Sequence, residues 1–200
     1  METAGRRRLK PEERRAQLLE CAVAVFARRG LGEAHHAEIA ADAGVSVSTV
    51  FVYFPTRDAL VDAVLDQVEA ISLAAAKQCY SDPSLPAVDA SRMHLMATAE
   101  ALATFEHHAR VWIDWSTSIG QRYWPRFVAH QEELVLLAAE TLARGQREGT
   151  IRRDLGAEDL ARLAVGSGQM IAQLACTNGD RAALDRFIDT LMAIAAPPSA

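Results

Sequence analysis

The stretch from Ala37 to Leu60, AEIAADAGVSVSTVFVYFPTRDAL, constrains this chain more than any other. Its apolar residues recur at helical spacing on both sides of a glycine, which describes two short helices joined by a tight turn, with a third helix starting at once after them. Ile39, Ala40 and Ala43 form the inner face of the first helix. Gly44 follows at the point where a helix ends in the left-handed conformation that glycine adopts at little cost. Val45 supplies an apolar anchor, Ser46 an oxygen for the free amides that open the next helix, and Val50 a return to the core one turn later. The second helix is thereby pinned on one side. Its other side presents Val47, Ser48, Thr49, Val52 and Tyr53, small and weakly polar side chains that can approach base edges and phosphates. This is the layout of a helix-turn-helix with its second helix as the reader.

Nearly all of the remainder has helical periodicity and no segment alternates as strands do, so the chain reads as all-α with about nine helices and no internal repeat. Pro11 opens a first helix whose face is Leu18, Ala22, Val25 and Phe26, and Gly30 ends it. Thr56 is placed to cap a long linking helix with the buried stripe Leu60, Val61, Val64, Leu65, Val68 and Ile71. After the break SDPSLP at Ser81 to Pro86, helices are expected from about Ala87 to Glu106, His108 to Ser118, Pro125 to Arg147, Ala157 to Cys176, and Arg181 to just before Pro197. Residues 1–57 are then an arm and a three-helix head, and residues 58–200 a larger helical body.

A net charge of −5 argues at first sight against nucleic acid, but its distribution reverses that reading: residues 1–57 carry +2 and the rest −7. The arm residues Arg6, Arg7, Arg8 and Lys10 are either solvated charge or a contact for a narrow minor groove. Cys21, Cys79 and Cys176 are scattered and odd in number, which suits idle thiols in a reducing cytosol better than a disulfide framework. No apolar run reaches the roughly 18 residues of a membrane span, and no apolar stretch follows the basic N-terminus as in a signal peptide, so a cytoplasmic protein is expected.

Enzyme chemistry finds no support. The chain lacks a Gly-x-Ser-x-Gly elbow, a phosphate loop, a Gly-x-Gly-x-x-Gly and a Cys-x-x-Cys. His35 and His36 with Glu38 and Asp42, and His107 with His108, do not have a convincing metal-ligand spacing. No catalytic residue, metal or cofactor is expected. In the body, Trp112 and Trp115 lie three apart, while Phe127, Gln131 and Val135 recur at i, i+4 and i+8, giving an apolar face with one polar handle. With Ile71, Ala75 and Gly168 they can wall a cavity or, equally, fill a core. The last two helices bear wide apolar faces, Leu160, Leu163, Ala164, Ile171 and Leu174 on one and Leu184, Phe187, Ile188, Leu191 and Met192 on the other, which serve either an internal core or a partner.

The helix-turn-helix stretch resembles the TetR superfamily of one-component transcription regulators. FARRGLGEAHHAEIA, VFVYFPTRDALVDAVL and VWIDWSTSIGQRYWPRFV further resemble the subgroup of quorum-sensing master regulators typified by vibrio-type LuxR and HapR, and the likeness runs from about Arg14 to Asn178. The resemblance implies a DNA-binding head on a ligand-binding body. It also implies a homodimer through the last two helices, whose two readers would meet a near-palindromic operator roughly 34 Å apart. By the same likeness Tyr53 and Arg57 match positions near phosphates, and the tryptophan-rich segment surrounds a cavity for a small apolar ligand. Two residues depart from the subgroup pattern: Val52 stands where an asparagine is expected, and Gly168 where a bulkier residue is common. Against this reading stand a helical small-molecule carrier with a vestigial head and a non-specific architectural DNA binder.

Overall fold

The computed structural model describes residues 9–118, 120–177 and 181–198, and among them every regular element is a helix. The chain divides into two compact units, the first ending at Gln67 and the second beginning at Val68.

The first unit holds α1 (Pro11–Arg29), α2 (His36–Ala43), α3 (Val47–Tyr53) and the opening turns of α4 (Arg57–Tyr80). Pro11 takes the first helical position of α1, where its missing N–H is no loss, and the Glu13 carboxylate accepts the Lys10 backbone N–H at 2.8 Å. Acidic residues in the first turn and Arg28 and Arg29 in the last complement the helix dipole. Leu18, Phe26, Ile39, Val50, Phe54, Leu60 and Leu65 are essentially inaccessible and form the core. Around it α2 packs against both α1 and α3. Two outer ion pairs, Arg28 with Asp42 and Arg29 with Glu38, both at 2.7 Å, join α1 to α2.

The second unit contains the rest of α4, then α5 (Ala87–Thr104), α6 (Glu106–Thr117), α7 (Trp124–Glu148), α8 (Ala157–Gly166), α9 (Gly168–Thr177) and α10 (Arg181–Ala195). One buried cluster brings Leu95, Ala99 and Leu102 of α5 to Ile171 of α9 and to Leu184, Ile188, Leu191 and Met192 of α10. A second joins Val135, Ala138 and Leu142 of α7 to Ile151 and Leu160. The single helix expected from Ala157 to Cys176 is divided at Ser167, between two glycines. Ser167 keeps a right-handed backbone (φ −70°, ψ −10°) and still donates its N–H to Leu163 O, so nine helices or ten turns on this one residue.

The apolar faces of these last helices are mainly internal. Leu160, Ile171, Leu184, Ile188, Leu191 and Met192 are buried within the chain, whereas Leu163 and Met170 remain 45% exposed. Periodicity marks a face that is mostly buried, and the outward apolar surface takes Leu163 from that face and Met170 from outside it.

Gly145, in the last turn of α7, marks a close approach that its place in the sequence does not advertise. A Cβ there would stand 2.5 Å from Ile151 Cγ1 and 2.6 Å from Ala87 Cβ. Although alanine is intrinsically the better helix former, Gly145→Ala is expected to destabilise by about 1–3 kcal/mol through overpacking. A lowered midpoint in thermal melting checks this; a raised midpoint would show that the contact yields.

Candidate functional site

The turn of the first unit is built by three residues. Gly44 ends α2 in the left-handed region (φ 63°, ψ 41°), and the next N–H, from Val45, returns to Ala40 O at 2.9 Å. The Ser46 hydroxyl oxygen accepts the Thr49 backbone N–H at 3.2 Å, capping α3. It also lies 2.8 Å from both Ser48 Oγ and Thr49 Oγ1, so three hydroxyls form one cluster at the start of the helix.

The seven residues of α3, VSTVFVY, include no charged side chain. Val50 is buried below, while Val52 is 75% exposed, Val47 is 40% exposed and Tyr53 is half-buried. Phe51, 47% exposed, belongs to the surface rather than the core. Its ring stacks on the His36 imidazole with centroids 4.3 Å apart and planes within 7°. His36 is buried and bonds through Nε2 to Phe54 O at 2.9 Å. Because a carbonyl only accepts, Nε2 carries the proton, and His36 serves as a wall for α3.

Arg57, expected near a phosphate, is held by backbone carbonyls of its own unit. Its guanidinium donates to Leu31 O and, at 3.4 Å, to Ala34 O, tying the α1–α2 connection to the start of α4. Thr56 caps α4 as its position suggested, its hydroxyl accepting the Ala59 N–H at 3.1 Å. Lys10 is exposed where α1 begins, and Arg6, Arg7 and Arg8 lie outside the described residues.

The second unit holds a largely apolar cavity of about 80 Å³. Its walls come from Ile71, Ser72 and Ala75 of α4, His94 and Thr98 of α5, His108 and Trp112 of α6, Gln131 and Leu134 of α7, and Gly168 and Ile171 of α9, among others. Of the eight residues expected around a cavity, Ile71, Ala75, Trp112, Gln131 and Gly168 line this one. Trp115, Phe127 and Val135 do not.

A stripe at i, i+4 and i+8 drifts by roughly 40° per step around a helix, so only its middle member, Gln131, faces the space. Val135 joins the cluster with Leu142 and Leu160. Phe127 packs between tryptophans, 5.1 Å from Trp124 and 5.2 Å from Trp115. Trp115 is fully buried, stacked near His130 at 6.0 Å, and donates its indole N–H to Tyr123 O at 2.9 Å. The absence of a side chain at Gly168 makes room for Trp112: a Cβ there would touch its Cη2 at 3.4 Å.

Sequence reasoning missed the α5 wall. His94 and Thr98, one turn apart on an otherwise apolar face, were the available signal. The Tyr80 hydroxyl bonds His94 Nδ1 at 3.0 Å, and burial pushes the Tyr80 phenol well up and His94 down to about 4. Burial also lowers His108, with its neighbour His107 adding to the effect, and it lowers His130. His130 meets Ser72 Oγ at 2.8 Å, and the Ser72 hydroxyl donates onward to Glu69 O. Glu69 in turn holds Arg126 in a two-pronged ion pair at 2.6 and 2.8 Å.

These imidazoles bear on acid stability. Between pH 6.5 and about 4 the unfolded chain protonates a histidine at position 94 that the folded chain keeps neutral, so stability is lost as pH falls through that window. From pH 7.5 to 4.5 the His94 contribution is expected to be roughly 2–3 kcal/mol. Denaturation midpoints against pH check it, and a His94→Gln variant with an equally steep decline would remove His94 as the cause.

Comparison with known proteins adds four findings. Residues 18–64 match the bacterial regulatory proteins of the tetR family. The chain is 37% identical over 161 residues to the HTH-type transcriptional regulator LuxR of Vibrio harveyi, an alignment covering 80% of this chain and 78% of that one. A TetR-like transcriptional regulator from Rhodococcus sp. RHA1 superposes with a TM-score of 0.75 at 22% identity over 94% of this chain and 96% of that one. AibR, solved in complex with isovaleryl coenzyme A and operator DNA, gives 0.74 at 16% identity over 94% and 100%. The two structures share the fold with this chain.

Proposed function

The chain belongs to the TetR family of bacterial regulatory proteins, and from that premise we propose that it is a ligand-modulated transcription regulator that binds a near-palindromic operator as a homodimer. The observation that carries this reading is α3 itself, an uncharged helix capped by Ser46, held by Val50 and His36 from behind and exposing Val52 to solvent.

Residues 1–57 act as the DNA-binding part and 58–200 as the ligand-binding and dimerisation part. Ser46, Val47, Ser48, Thr49, Val52 and Tyr53 meet the major groove and its phosphates. Lys10, with Arg6, Arg7 and Arg8 beyond the described residues, adds salt-dependent contacts. Arg57 supports the same surface by holding the α1–α2 connection, from which its charge still reaches toward a phosphate. Dimerisation runs through the last helices, with the exposed Leu163 and Met170 as outward apolar contacts. The cavity receives a small apolar ligand. A ligand that prefers one disposition of the two heads shifts the dimer population by its differential affinity, and about 1–3 kcal/mol of coupling suffices for a roughly 5- to 150-fold change in DNA affinity. The likeness to LuxR supports a link to quorum sensing.

Selection of bound fragments from a random DNA library at near-physiological salt tests the reading. A two-fold symmetric motif is the expected result. Enrichment of nothing, with retained small-molecule binding, would favour a carrier; weak binding of all fragments with a steep salt slope would favour an architectural protein.

A further inference from the structure

Among the described residues, every one lining the cavity is formally uncharged or a histidine, and no Asp, Glu, Lys or Arg reaches it. Most of its polar side chains are already taken. Ser72 is held by His130 and Glu69 O, Thr98 Oγ1 donates to His94 O at 2.9 Å, and His94 is bonded to Tyr80. Gln131, half-buried in the wall, has no side-chain hydrogen-bond partner among the described residues. Its amide offers both donors and an acceptor.

We propose, resting on the reading of this cavity as the regulator's ligand site, that it selects uncharged ligands: a small carbon skeleton with one hydroxyl, carbonyl or amide group that pairs with the Gln131 side chain. A carboxylate or phosphate brought here leaves water without a cation to meet it, and an unpaired buried charge is far more costly than an unpaired neutral dipole. Burial keeps His94 and His108 neutral near pH 7, so neither supplies that cation. Size adds a second filter. At about 80 Å³ the cavity is small beside the roughly 300–1,000 Å³ of sites for drug-sized molecules, so compact rings fit and long acyl chains do not. Trp112, packed over Gly168, is the wall a larger ligand would have to displace.

The test uses the full chain at pH 7.5 and three six-membered-ring probes of similar size: cyclohexanol, cyclohexanone and cyclohexanecarboxylate. Binding is read by tryptophan emission and by the shift in melting temperature. The alcohol and ketone are expected to bind saturably and the carboxylate at least about tenfold more weakly, in keeping with the cost of burying an unpaired charge. Gln131→Leu is expected to weaken the alcohol by about fivefold, the worth of one hydrogen bond. Equal binding of carboxylate and alcohol, or unchanged alcohol affinity in Gln131→Leu, overturns the inference while leaving the cavity a ligand site. If none of the three binds although the protein still selects an operator, the ligand-site reading fails as well, and the regulator reading stands without it.

Discussion

Trp115→Ala is expected to destabilise the second unit by about 3–5 kcal/mol, the range for emptying a buried large aromatic. Trp115 is wholly inaccessible, meets Phe127 edge-on and lies alongside His130, so truncation leaves a void between α6 and α7 that neither neighbour can fill without leaving its own partners. Trp112, three residues earlier, is only half-buried and lines the cavity. Its replacement by alanine enlarges a space that already exists, so a much smaller loss is expected, together with altered probe binding. Urea denaturation followed by circular dichroism separates the two. Equal destabilisation by both variants would mean that Trp112 is as much core as Trp115.

The contrast between these tryptophans shows where the sequence is readable. The turn at Gly44, the cap at Ser46 and the cap at Thr56 were legible because each depends on residues within three or four positions, and helix termini impose local chemistry. Features set by distant segments were not. Arg57 spends its hydrogen bonds on carbonyls 23 and 26 residues away, and Gly145 is required by Ile151 and by Ala87 on another helix. The stripe Phe127, Gln131, Val135 was recognised as a stripe, but periodicity gives a face without saying what stands opposite. Two tertiary neighbours, the tryptophan cluster and α8, claim its ends and leave only Gln131 for the cavity. The faces of α9 and α10 show the same effect: α5 covers much of what a partner might have covered. Where a side chain points inward was thus easier to read than whose interior it enters.

Val52→Glu is expected to lower affinity for the selected operator by at least about 100-fold, or close to 3 kcal/mol at 1.4 kcal/mol per tenfold. The proposed groove is lined by phosphates, and opposing like charges in an interface costs several kcal/mol. The fold should hardly notice, because Val52 is 75% exposed and substitutions at such sites usually stay within about 0.5 kcal/mol. An unchanged melting temperature therefore accompanies the expected loss and separates a failed contact from a failed head. Two gentler probes distinguish reading from mere proximity. Val52→Asn exchanges a methyl-seeking side chain for one that pairs with adenine, so the preferred bases should change while overall affinity is largely kept. Uracil in place of each operator thymine removes only the 5-methyl group, worth about fourfold at 0.8 kcal/mol per buried carbon, and wild type should feel this at one position in each half-site where Val52→Ala does not. If Val52→Glu instead binds the operator as tightly as wild type, α3 does not enter the groove, and the small uncharged helix that carries the functional reading must face something other than DNA.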